Sequence, residues 1–145
     1  MAVMEISLVR NRLKQAMTAA RDRSKHRREQ TAQAEQAYET FIQQVATPVA
    51  KQVANALKVE GFAFTVFTPG GGLRLASDRN RDDYIEFLLD ADAERPQVAG
   101  KISLTRGSRT LTEERPVKPG AAPDAVSEDD VLAFLIDALE PWLER

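Results

Sequence analysis

Cysteine is absent from the chain, and histidine and tryptophan each occur once, as His26 and Trp142. Without thiols there are no disulfides, no thiolate nucleophile and no cysteine-type zinc site. One histidine leaves Ser and Thr nucleophiles without a base unless His26 itself serves. His26 lies between Lys25 and Arg27, and reads as a solvated surface side chain. No apolar run approaches the roughly 18 residues of a membrane-spanning helix. The apolar start from Ile6 to Val9 is too short for a signal-peptide core, and no small-residue cleavage site follows it. The Arg-rich amphipathic opening faintly resembles a transit peptide, but its stripe resumes downstream as a structural stripe does. The expectation is a soluble cytoplasmic protein with no catalytic residues, no metal site, no cofactor and no membrane partner. Ala and Arg outweigh Ile and Lys, which fits a GC-rich bacterial source.

What is present is a chain of 145 residues, 43% hydrophobic and 29% charged. That length allows one domain with an appendage. The net charge of −2 hides an asymmetry. Residues 1–59 hold 10 Lys and Arg against 5 Asp and Glu, a net +5, and residues 60–145 hold 10 against 17, a net −7. Such a split implies that the two parts meet different surroundings, or each other.

Residues 1–59 read as a helical arm, with helices over about 4–46 and 48–59. Ile6, Val9, Leu13, Met17 and Ala20 recur at three- and four-residue steps, which places them on one helix face. From Arg21 to Gln33 no large apolar residue occurs, although Arg, Lys, Glu, Gln and Ala keep helix propensity good. The stripe resumes at Ala34, Tyr38, Phe41, Ile42, Val45, Val49, Val53 and Leu57, and Gly61 is a natural stop. Pro48 lacks a backbone donor and clashes with the preceding turn. Thr47-Pro48 therefore reads as an N-cap with proline at the first helical position. A straight helix from Met4 to Leu57 would run roughly 80 Å at 1.5 Å per residue. A compact chain of this length is only about 40 Å across. The arm therefore kinks, folds back as a hairpin near Arg21–Gln33, projects, or pairs with another chain. Projection alone leaves an apolar stripe in water, which is unfavourable.

From Gly61 the hydrophobic period changes to two, the mark of strands. Phe62–Thr68 and Leu73–Ser77 flank a Pro69-Gly70-Gly71-Gly72 turn. Tyr84–Asp90 places Ile85, Phe87 and Leu89 on one face. Val98–Thr105 does the same with Val98, Gly100, Ile102 and Leu104. Arg109–Val117 is a weaker strand whose Glu113, Glu114, Arg115 and Pro116 suit a sheet edge. Short connections predict a meander. Ser127 then caps a final amphipathic helix, with Asp130 completing a capping-box-like arrangement. Val131, Leu132, Phe134, Leu135, Leu139 and Leu143 form its broad apolar face, to be packed on the sheet. The expected fold is α+β: a long N-terminal helical arm, kinked or hairpin, a 4–5-stranded antiparallel meander over 60–145, and a C-terminal helix.

Four patterns bear on function. Arg21, Arg23, Lys25, Arg27 and Arg28 crowd the basic segment 21–28, with Arg10, Arg12 and Lys14 upstream and only Asp22 as an acid among them. A helix with this charge suits a phosphate backbone or another polyanion, but no aromatic side chain is available there to stack on bases. The glycine run joins two strands rather than a strand and a helix, so it reads as a hairpin turn and not a phosphate cradle. Asp78, Asp82 and Asp83, and then Asp90, Asp92 and Glu94, lack calcium-loop spacing. The remaining pattern is the arm's stripe, read as an oligomer or partner interface of Ile6, Val9, Leu13, Met17, Tyr38, Phe41, Ile42 and Val45. The sequence points to a non-enzymatic interaction or assembly module (an adaptor, scaffold or chaperone-like protein). It would work as a homodimer or other coiled-coil homo-oligomer, or dock a partner protein. The alternative is a nucleic-acid-associated protein using 21–28.

Overall fold

In the computed structural model, which describes residues 3–144, three α-helices and five strands follow one another as a helical stretch, a sheet and a closing helix. The chain divides into two units between Gln33 and Ala34.

The first unit is helical from Ile6 onward. It belongs to α1 (Ile6–Phe41), which is unbroken. Of the alternatives left open for the arm, the hairpin near Arg21–Gln33 does not form. That segment has no Gly or Pro to stop a helix, and its Arg, Lys, Gln and Ala propagate one. Every residue from Val3 to Gln33 is exposed or, at Ser24 and Thr31, half-buried.

In the second unit α1 ends at Phe41 and passes into a π-helical turn, Ile42–Ala46, which leads directly into α2 (Thr47–Val59). The break expected at Thr47 is therefore a widened turn. Thr47 is not an N-cap: its backbone is helical, and its N–H bonds the carbonyl of Ile42, five residues back. Widening to this spacing is one way a helix accommodates proline, whose ring would collide with the carbonyl four residues before it. After α2, Gly61 adopts φ 89°. The Gly61 and Phe62 N–H groups then close on the carbonyls of Lys58 and Leu57. This is a Schellman arrangement. It delays the first strand by two residues from the expected Phe62.

The sheet is a five-stranded antiparallel meander in sequence order: β1 (Phe64–Phe67), β2 (Leu73–Ser77), β3 (Tyr84–Asp90), β4 (Gln97–Arg106) and β5 (Arg109–Pro116). Gly70 and Gly71 supply the positive φ values of the β1–β2 turn. Leu73, Leu75, Ile85, Phe87, Val98, Ile102 and Leu104 are buried on one face, as alternation requires. On them pack α2, the turn before it, and α3 (Glu128–Leu143). Phe41 stacks on Phe87, with 6.4 Å between ring centroids, and Phe134 meets Phe87 edge-on at 5.7 Å. Phe64 meets Trp142 in the same way at 5.8 Å. Aromatic pairs in these geometries add to the area they bury. The opposite sheet face carries Arg74, Glu86, Lys101 and Glu114 in register across four strands. Arg74 bonds Glu86 at 3.2 Å and lies over the Tyr84 ring. Alternating signs across a sheet face are mutually favourable.

Candidate interaction surface

The expected interface residues separate into two groups. Tyr38, Phe41, Ile42 and Val45 belong to the second unit and serve its own core. Phe41 and Ile42 are 2% and 3% exposed. Tyr38 is half-buried, and its hydroxyl donates to the Phe87 carbonyl at 3.1 Å. Burial, and secondarily the Glu86 carboxylate, raises its pKa to about 12. Val45 packs at the margin of the same core. Phe41 and Ile42 are thus covered within the chain, whereas Tyr38 and Val45 stay half-buried. The four face inward because the helix runs onto the sheet here, and the stripe alone does not reveal where that happens.

Ile6, Val9, Leu13 and Met17 are open. They are 75%, 49%, 59% and 46% exposed. At 3.6 residues per turn they form one strip, continued by Ala16 and Ala20. Monomeric proteins rarely leave a contiguous apolar strip in water without a use for it.

The basic residues are also all exposed, but they do not form one cluster. Arg21, Lys25 and Arg28 share a face with Arg10 and Lys14, about 80° around the helix from the apolar strip. Arg23 and Arg27 point away from that row. Spacing in the sequence is enough to find the row once the helix is known to be unbroken. His26 is exposed on the same helix.

The acidic loops are occupied by local structure. Asp78 accepts from the Thr65 hydroxyl at 2.6 Å, and Asp90 from the N–H groups of Asp92 and Ala93. The buried Asp83 accepts from the Thr105 N–H at 2.7 Å. Among the described residues no group of three His, Asp or Glu side chains is placed to hold a metal ion. No helix among them is long and apolar enough to cross a membrane.

A surface that periodicity did not separate lies on α3. Val131, Phe134, Leu135 and Leu139 are buried on the sheet, whereas Leu132, Ile136 and Leu143 are 39%, 54% and 43% exposed. The expected single broad face is thus two faces, one inside and one outside. Its excessive width in the sequence was the available signal. Beside it Arg115 of β5 donates to Asp137 of α3, next to a groove of about 600 Å³ whose rim includes Glu113, Glu140 and Glu144.

Comparison with protein-family models, curated proteins and solved structures gives no match to this chain.

Proposed function

We propose that the protein is a non-enzymatic interaction or assembly module, an adaptor, scaffold or chaperone-like protein, that associates with itself or docks a partner through its N-terminal helix. The observation that carries this reading is the exposed strip of Ile6, Val9, Leu13 and Met17. Removing such a strip from water by contact with another apolar surface is favourable by roughly 25 cal/mol per Å² of apolar area. Sedimentation equilibrium tests it. Full-length protein is expected to exceed the mass of one chain, or to do so with its partner, and Leu13→Asp/Met17→Asp to lose the association while keeping its thermal transition. Unchanged association in that variant overturns the reading.

The row of Arg10, Lys14, Arg21, Lys25 and Arg28 supports a second reading, polyanion or nucleic-acid binding. Neutralising about five phosphates predicts a slope of log affinity against log salt near −4.5. Arg21→Glu/Arg28→Glu removes binding under this reading. A flat salt dependence, or binding unaffected by that variant, excludes it.

A further inference from the structure

The exposed strip of α3 and the exposed strip of α1 fit each other, and we infer that α3 of one copy receives residues 6–21 of a second copy, lying antiparallel to it. This rests on the interaction reading above and names its partner.

Three observations carry it. The first is length. Leu132, Ile136 and Leu143 span the same number of residues as Ile6 to Met17, roughly 17 Å of helix in each case. The second is charge. The α1 strip is bordered on one side by Arg10, Lys14 and Arg21. The α3 strip is bordered on one side by Asp129, Asp137, Glu140 and Glu144. The third is handedness. In both helices the charged border lies about 80° from the apolar strip in the same rotational sense. Two helices laid face to face in parallel would put these borders on opposite sides. Only antiparallel docking brings base against acid, and it also opposes the two helix dipoles favourably.

Antiparallel docking then fixes a register. Setting Leu143 against Ile6 places Ile136 opposite Leu13 and Leu132 opposite Met17. The same register puts Glu140 beside Arg10 and Asp129 beside Arg21. The apolar pairs and the charge pairs agree on one alignment. Arg27 falls in line with the apolar strip beyond Ala20, so the docked segment ends at Arg21, the first residue of the basic stretch. Each copy carries both surfaces, so two copies can exchange the contact reciprocally in a dimer, each seating its residues 6–21 on the other's α3.

Charge reversal in the full-length protein tests this. Arg10→Glu/Arg21→Glu alone and Asp129→Lys/Glu140→Lys alone are each expected to sediment as monomers, with helix content checked by circular dichroism. An equimolar mixture should recover the dimer, because each reversed surface then meets its complement. The chain has no cysteine, so crosslinking gives a second readout. Arg10→Cys mixed with Glu140→Cys should join through a short thiol crosslinker, and Arg10→Cys mixed with Asp129→Cys should not. Wild-type protein that stays monomeric at all concentrations overturns the inference, as does a helix that binds only anionic vesicles or nucleic acid. If Leu13→Asp/Met17→Asp abolishes association but Asp129→Lys/Glu140→Lys leaves it intact, the α3 site is wrong while the interaction reading stands.

Discussion

The ring of Phe134 on α3 occupies the space over Gly100 in β4 where a side-chain Cβ would otherwise stand. Helix and sheet can approach this closely only because the strand lacks a side chain at that point. Gly100→Ala therefore forces either the ring or the helix to move. Overpacking of this kind costs about 1–3 kcal/mol, read as a lower urea midpoint. Combining it with Phe134→Leu should recover part of the loss, since residues in contact do not behave additively.

Tyr38 offers a pH signature. Its folded pKa of about 12 lies above the ordinary value of 10.0. The folded state thus holds the phenolic proton more tightly than the unfolded chain does. Its contribution to stability is complete below pH 10 and is lost as pH rises through 12. Absorbance titration near 295 nm should show one of the two tyrosines ionising late. Tyr38→Phe should flatten the loss between those pH values. It should also cost about 1 kcal/mol at neutral pH, through the lost bond to the Phe87 carbonyl.

The start of α3 responds in the opposite direction. Ser127 accepts from the Asp130 N–H, and the Asp130 carboxylate accepts from the Ser127 N–H. The Ser127 backbone N–H first, then the Ser127 side chain, and Lys118 after them, hold the Asp130 carboxyl below the usual range. A lowered folded pKa gives stability that is present above the unfolded value and disappears as pH falls through the folded one. Ser127→Ala should cost about 1 kcal/mol. Asp130→Asn should weaken the acid-side dependence in a denaturation series run from pH 6 downward.

The two ends of α1 should differ sharply under mutation. Phe41→Ala removes a core side chain and should cost about 3–5 kcal/mol. Leu13→Asp changes a residue that nothing covers in the single chain. It should alter chain stability by no more than about 0.5 kcal/mol when measured under dissociating conditions. Chemical denaturation at low protein concentration separates the two.

Much of the fold was legible because local chemistry and burial agreed. Ile85 and Phe87, and Ile102 and Leu104, alternate inward along their strands, and Ser127 with Asp130 marks a helix start. What could not be read depended on tertiary distance. A single stripe from Ile6 to Val45 contains both the open residues and the buried Phe41 and Ile42, and periodicity does not distinguish water from a sheet. Pro48 signalled a break, but closure as a π turn depends on Phe41, Ile42 and Ala46 already being held in the core. Leu132 and Leu143 read as part of one buried face because a wide apolar helix face looks buried until the sheet shows how much of it can be covered.

The unbroken course of α1 has a consequence for backbone exchange. At its Phe41 end its hydrogen bonds are sheltered by the core, whereas from Ile6 to Gln33 they are held by helix cooperativity alone. Opening free energy should fall along one continuous element, from near the global value to that of a solvated peptide helix. Amide deuteration would then show a slow end and a fast end within a single helix. Within α1 a bound partner would appear as new protection at the fast end, which makes that segment a built-in reporter of its own occupancy.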